Sequence, residues 1–144
     1  HNIYRGLNCR IDEIQAAFLL TKLRHLDDEI SRRQRVASTY SDCISNPHVK
    51  TPYIFAKMKQ VWHQYVIRVD ARDKFRVYLK DNGVNTDIHY ATPPHLQPCY
   101  KEYKSYKLPR TIAMANEVVS LPIAYPITPD DAASISEIIN KFEP

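Results

Sequence analysis

The sequence predicts an α+β chain, with a long amphipathic helix at its N-terminal end and then a small sheet of three or four strands covered by helices. Three observations carry this. Residues 11–43 contain no Pro or Gly and repeat apolar side chains at steps of three and four. Residues 61–69, Val-Trp-His-Gln-Tyr-Val-Ile-Arg-Val, alternate aromatic and β-branched residues as a half-buried strand does. Residues 84–90 read as a second strand after an intervening helix, and such a β-α-β unit needs a layered sheet to lie against.

The N-terminal helix opens at Gly6-Leu7-Asn8-Cys9-Arg10-Ile11-Asp12. Asn8 stands where an N-cap belongs, since its side-chain oxygen can accept from free N–H groups. Arg10 would then fall just inside the first turn, where the positive end of the helix dipole disfavours a cation. A polar cap followed by a misplaced cation makes sense if an anion binds at this helix start. Ala16, Leu19, Leu23, Leu26 and Ile30 form the broad apolar face of the helix, with Ile14 and Phe18 beside it. Further on, Asp28/Arg32 and Glu29/Arg33 are i,i+4 pairs with the acid leading. An apolar start and a solvated end suit either a connector between two domains or a plain core helix.

Asn46-Pro47 ends the helix, and residues 49–59 read as loop. After the strand at 61–69, Asp70 and Asp73 can cap a helix whose Phe75, Tyr78 and Leu79 face the core, closed by Asn82-Gly83. Residues 91–100 are pinned by prolines and lead into a strip of alternating Tyr and Lys. A short helix follows Pro109, with Ile112, Ala115, Asn116 and Val119 at helical spacing, and residues 118–121 form a third strand stopped by Pro122. The last helix has Thr128 as cap, Pro129 at its first position and Asp131 in a capping box. Its Ile135, Ile138, Ile139 and Phe142 share one face.

The chain has 144 residues, 44% of them hydrophobic and 25% charged, which suits a folded domain. A net charge of +4 weakly favours anionic partners. With only Gly6 and Gly83, no Gly-rich phosphate loop can form within these residues. No stretch reads as a membrane span or a signal peptide. Cys9, Cys43 and Cys99 are odd in number and far apart, which fits a reducing cytoplasm. The chain opens on His1 with no Met and reads as a piece of a longer protein.

Candidate chemistry is sparse. His89 and His95 lack a third ligand at zinc-like spacing, so no metal site is expected. No Ser or Cys lies in a nucleophile elbow. His89 and Tyr90, at a strand end beside a stiff loop with His95 and Gln97, suit either a small-molecule wall or simple strand-end packing. Tyr100, Tyr103 and Tyr106 alternate with Lys101, Lys104 and Lys107. That strip suits a solvated turn, or alternatively a platform for single-stranded nucleic acid. The solvated turn is preferred because Glu102 interrupts and the net charge is small, so no nucleic-acid partner is expected. His63, alternating in a strand, reads as half-buried structure.

Three segments taken together carry a resemblance. Gly6-Leu7-Asn8-Cys9-Arg10-Ile11-Asp12-Glu13-Ile14-Gln15-Ala16-Ala17, then Trp62-His63-Gln64-Tyr65-Val66-Ile67-Arg68, then Thr86-Asp87-Ile88-His89-Tyr90 with Pro94-His95-Leu96-Gln97-Pro98-Cys99-Tyr100 are in the order and spacing of one family. The chain resembles, over essentially its whole length, the C-terminal part of the DegT/DnrJ/EryC1/StrS aminotransferases, pyridoxal-phosphate enzymes that aminate nucleotide-linked keto-sugars. The resemblance implies the C-terminal domain of a fold-type-I transferase: an interface segment and long helix over 1–46, and a small α+β domain over 47–144. The large cofactor domain, with its Schiff-base lysine, would lie upstream, so no catalytic residue is expected in this chain and it should be inactive alone. By the same resemblance, Asn8 donates to the phosphate of pyridoxal 5'-phosphate held by a partner subunit of a homodimer. Arg10, His89, Tyr90 and His95 match positions near the sugar-nucleotide substrate, and the implied amino donor is glutamate. Asp12 and Gln15 set the helix start. Cys9, often Ser in the family, and Ala91-Thr92, where a Pro is frequent, depart from the commonest pattern. A dehydratase of the same family, with a His in place of that lysine, would look alike over these residues.

Overall fold

The computed structural model describes residues 1–55 and 57–144. The long N-terminal helix is two helices, α1 (Glu13–Leu23) and α2 (Leu26–Cys43). They part at Arg24-His25, where the His25 N–H turns back to the Lys22 carbonyl at 3.0 Å. No Pro or Gly marks this break. The acids Asp27, Asp28 and Glu29 do, because they sit in the first turn of α2 and favour a helix start there. The N-cap of α1 is Asp12, whose carboxylate accepts from Gln15 N–H at 2.7 Å. Asn8 is therefore not the cap, and Arg10 precedes the helix rather than entering it.

Three short strands follow in sheet order β1 (Val49–Lys50), β2 (Tyr65–Val69), β3 (Val118–Leu121), all antiparallel. Tyr65 pairs with Leu121 and Arg68 with Val118. The strand expected from Val61 starts only at Tyr65, since Trp62 has φ 46°, in the left-handed region that extended strand excludes. Along β2, Tyr65, Ile67 and Val69 are buried.

Between β2 and β3 come α3 (Arg72–Asp81) and, after the proline-rich segment, α4 (Pro109–Glu117). Ala71 occupies the N-cap of α3 without a side-chain bond, and Asp73 pairs instead with Arg72 at 2.9 Å, so neither Asp70 nor Asp73 caps it. At the other end the expected glycine closure forms in full. Gly83 has φ 81°, its N–H reaches Lys80 O at 3.0 Å, and Val84 N–H reaches Leu79 O at 2.8 Å.

Residues 84–90 do not make the second strand of a β-α-β unit. The Val84 N–H is spent on the helix end, and the Ile88 N–H turns to its neighbour's Asp87 carboxylate at 2.8 Å. One antiparallel bridge, Asp87 with Ser120, is what remains along the free edge of β3.

The closing helix α5 (Pro129–Asn140) has the capping box read from its sequence. It packs along α2, and the core lies between them and the sheet: Val36, Ala37, Tyr40, Ile67, Phe75, Leu79, Val119, Ile139 and Phe142 are buried. The Tyr40 and Tyr65 rings stack at 5.1 Å. Tyr40 donates to Pro122 O at 2.8 Å, and Ser41 shares a hydrogen bond with the Tyr65 hydroxyl at 2.9 Å. Burial, first of all, pushes both phenols above their ordinary pKa, so they remain neutral donors. In contrast, α1 buries no residue: Ile14, Phe18, Leu20 and Leu23 stand 61–72% exposed. No helix among the described residues is long and apolar enough to cross a membrane.

Candidate functional site

The sequence-selected residues fall into three places. His89 follows the Asp87 bridge and lies against β3, where its Nδ1 is 2.9 Å from Ser120 Oγ. Its other nitrogen, Nε2, is 3.7 Å from the Asp87 carboxylate. The ring thus has one nitrogen tied to a hydroxyl and the other beside a negative charge, which fixes its plane. Ser, His and Asp in a row invite comparison with a nucleophile triad. Ser120, however, is only 6% exposed in β3, and at 3.7 Å the Asp87 carboxylate is beyond hydrogen-bond reach of the ring, so the charge-backed general base of a triad is not formed. The arrangement positions an imidazole.

That imidazole separates two hollows. One, of about 340 Å³, lies among His63, Gln64, Thr86, Asp87 and the stretch from Ser120 to Ala124. The other, of about 220 Å³, is walled by Tyr90, Pro93, Pro94, Thr111 and Met114. Tyr90 packs edge-on against His89, with ring centroids 5.5 Å apart, and remains 74% exposed. A half-buried imidazole beside an exposed phenol can orient the hydroxyls or carbonyl of a polar ligand while excluding water from one side.

His95 sits apart, in the 3-10 turn Pro94–Leu96, and is buried. Its Nε2 has no hydrogen-bond partner among the described residues. The adjoining turn, Pro98–Tyr103, carries the first part of the Tyr/Lys strip.

Asn8 and Arg10 are exposed, and among the described residues their side chains enter no hydrogen bond or ion pair. They are nevertheless tethered near the proline-rich segment through the residues before them. Asn2 N–H donates to Gln97 Oε1 at 2.8 Å, and Cys99 N–H donates back to Asn2 O at 3.1 Å. Arg5 donates to Cys99 O at 2.9 Å, pairs with Glu102, and lies over the Tyr100 ring at 4.9 Å. Residues 1–5 are thereby strapped across the segment that carries His95. The structure does not bring Asn8 or Arg10 into contact with His89, Tyr90 or His95.

Sequence reasoning missed Ser120, Asp87 and Arg5. Nothing local flags Ser120 as the partner of a residue 31 positions away, and Arg5 gains its role only when the chain folds back.

An antiparallel three-stranded sheet under helices, preceded by a helical pair, is an arrangement this chain shares with part of solved aminotransferase structures. An aminotransferase of the DegT/DnrJ/EryC1/StrS type from Brucella abortus superposes with a TM-score of 0.80 at 35% identity, covering 96% of this chain and 38% of that one. The model of the DegT/DnrJ/EryC1/StrS aminotransferase family matches residues 1–140, and the chain belongs to that family. Among curated relatives, the dTDP-3-amino-3,6-dideoxy-alpha-D-galactopyranose transaminase of Aneurinibacillus thermoaerophilus is 38% identical over 98% of this chain and 39% of its own length. The UDP-2-acetamido-2-deoxy-3-oxo-D-glucuronate aminotransferase of Pseudomonas aeruginosa is 39% identical over 85% of this chain and 34% of its own. The chain spans less than two-fifths of the length of these relatives.

Proposed function

We propose that this chain is the C-terminal portion of a pyridoxal-phosphate-dependent aminotransferase that moves an amino group from glutamate to a nucleotide-linked keto-sugar. The product would feed surface polysaccharide, lipopolysaccharide or deoxyaminosugar synthesis in the cytoplasm. The observation that carries the reading is the family match over residues 1–140, joined to relatives whose names specify dTDP- and UDP-linked amino sugars.

The residues of this chain divide the work. Asn8 and Arg10 lie on an irregular lead-in with side-chain donors that no other described residue uses, which fits the acceptor-only oxygens of a cofactor phosphate. Asn8 would donate to that phosphate across the interface of a homodimer, and Arg10 would face an anionic group of the substrate. When bound, the cofactor supplies the electron sink that makes nitrogen transfer between amine and ketone feasible. His89, fixed by Ser120, and Tyr90 would hold the sugar through hydrogen bonds and shield one face from water. The lysine that carries the cofactor would belong to a large domain upstream, so these residues alone would be inactive. The uncovered apolar side of α1 supports such a division, with residues 1–46 at the interface and 47–144 as a small domain.

The test uses the full-length protein with pyridoxal phosphate, glutamate and a dTDP- or UDP-linked 3-keto-sugar. The expected result is stoichiometric 2-oxoglutarate and amino sugar. Loss of the sugar hydroxyl without nitrogen transfer would instead identify a dehydratase. No cofactor absorbance and no turnover of either kind would overturn the reading.

A further inference from the structure

The lead-in that carries Asn8 and Arg10 has few ties of its own. Among the described residues, residues 6–11 make no hydrogen bond or ion pair, and α1 beyond them buries no residue. What fastens the lead-in is residues 1–5, which lie along residues 92–102. His1 Nδ1 is 3.4 Å from Thr92 Oγ1. Asn2 N–H donates to the Gln97 amide oxygen at 2.8 Å, while the nitrogen of that amide donates to Thr92 O at 3.0 Å. Asn2 O accepts the Cys99 N–H at 3.1 Å. Arg5 completes the set: its Nε donates to Cys99 O at 2.9 Å, its guanidinium pairs with Glu102, and it lies 4.9 Å over the Tyr100 ring. Both backbone groups of Cys99 are thereby spent on residues 1–5, and Thr92 lines the hollow beside His89 and Tyr90. Arg5 is three residues from Asn8, at most about 11 Å of extended chain, so where Arg5 is held limits where Asn8 can stand.

We propose that Arg5 is the positioning residue of a strap, residues 1–5 closed over residues 92–102, and that its closure sets where Asn8 stands. The use of that closure in cofactor binding rests on the sugar-aminotransferase reading. The contacts suit a closure that opens readily. The Arg5 and Glu102 side chains are 54% and 44% exposed, so solvent screens their ion pair, and a cation over a surface ring adds only a modest attraction. Contacts of that size hold a segment shut while leaving its open state within reach. Asn8 is then presented by the closed strap, and a ligand that needs it binds in proportion to the closed fraction. Linkage runs both ways, so whatever occupies Asn8 also favours the closed strap. Arginine suits the position better than lysine. Its separate N–H groups serve Cys99 O and Glu102 at once, while its planar head covers the Tyr100 ring.

The experiment measures backbone hydrogen exchange at residues 97–103 of the full-length protein, together with its affinity for pyridoxal phosphate by equilibrium dialysis. Arg5→Gln should speed exchange of the Cys99 N–H about five- to thirtyfold, the combined weight of an ion pair, a cation–π contact and one hydrogen bond at exposed positions. The same variant should weaken pyridoxal phosphate about two- to tenfold, because affinity falls only as far as the closed fraction does. Arg5→Lys, which keeps a charge beside Glu102 and Tyr100, should retain most of both. Glu102→Gln breaks the ion pair from its other side and should move both readouts in the same direction by a smaller factor, which serves should Arg5→Gln melt early. In an Asn8→Ala background Arg5→Gln should cost no further affinity, a non-additivity that a general loss of stability would not produce. Unchanged Cys99 exchange in both Arg5→Gln and Glu102→Gln would overturn the strap. Faster exchange with cofactor affinity unmoved, or costs that add in the double variant, would overturn its hold on Asn8. Accelerated Cys99 exchange in a full-length protein that takes up no pyridoxal phosphate would refute the aminotransferase reading and uphold the strap.

Discussion

Asn46 is where the end of α2 is fastened to the end of α5, and replacing it should be among the more costly single changes in the fold. The residue is 6% exposed. Its Nδ2 donates to both Ile139 O and Phe142 O at 2.8 Å, and its Oδ1 accepts from His48 N–H at 2.8 Å. Asn140 answers from the other side, accepting from Ser45 and Asn46 N–H and donating to Cys43 O. Asn46→Ala removes three hydrogen bonds, leaving Phe142 O short of a donor and His48 N–H short of an acceptor, while Ile139 O keeps the Phe142 N–H at 3.1 Å. At about 0.5–1.5 kcal/mol per bond plus the desolvation of the orphaned groups, the expected loss is roughly 2–4 kcal/mol. For a chain of this size that is a fall in Tm of roughly 5–15 °C. Asn46→Asp should be worse than Ala at neutral pH, because it turns an acceptor toward two acceptors. Burial and those carbonyls would raise the folded-state pKa of the new carboxyl above its unfolded value of about 3.9. The neutral acid, which can donate, is then favoured, so the deficit relative to Ala should be smallest below the unfolded pKa. It should reappear as pH rises through the folded one. Urea melts of the Asn46→Ala and Asn46→Asp chains at pH 4 and pH 8 test both statements. A loss under about 0.5 kcal/mol for Ala, or a gap between Asp and Ala that ignores pH, would refute the reasoning.

Three further outcomes are expected. Thr128→Ala should cost about 1 kcal/mol in a urea melt, since Thr128 Oγ1 accepts from the Asp131 N–H that begins α5. The Thr128 hydroxyl and N–H also hold the Asp131 carboxyl below its ordinary pKa. Its contribution should therefore be present above the unfolded value and be lost as pH falls through the folded one, a dependence that Asp131→Asn should abolish. Gly83→Ala should cost about 1–2 kcal/mol from backbone conformation alone, because φ is 81° and an added Cβ meets nothing within 4 Å; an unchanged melting midpoint would count against that helix end. On the proposed aminotransferase reading, Ser120→Ala in the full-length protein should lower kcat/KM for the nucleotide sugar about five- to tenfold, by releasing Nδ1 of His89. Steady-state kinetics matching the parent would remove Ser120 from the site.

The parts of the fold legible in the sequence are those whose signals are local. Thr128, Pro129 and Asp131 specify the start of α5 within four residues, and Asn82-Gly83 specifies the end of α3. Alternation around Tyr65, Ile67 and Val69 marks β2 because one face of it is buried. Residues 84–90 mislead for a related reason. They have strand-like composition, yet the Asp87 side chain takes the N–H of Ile88, a competition that composition does not express. The site follows the same division. His89 and Tyr90 are visible as polar aromatics beside a stiff loop, whereas Ser120 and Arg5 acquire their partners through tertiary pairing across 31 and 94 positions.

The apolar stripe of α1 shows what a pattern can and cannot carry. Ile14 and Phe18, and beside them Leu19 and Leu23, repeat at i,i+4 as Ile135 and Ile139 do at the C-terminal end, where Phe142 follows three further on. The second set is buried against α2 and the sheet, while the first stands open to solvent in this chain. Covering each large side chain of α1 would contribute about 1.5–3 kcal/mol, so several such residues on one helix represent stabilisation that these 144 residues do not collect. Periodicity reports that a face is apolar, not whether these residues cover it. In α5 the covering surface lies within the same chain, and the reading closes. In α1 it does not: α1 buries no residue, whereas α2, on the other side of the turn at Arg24-His25, buries Val36, Ala37 and Tyr40.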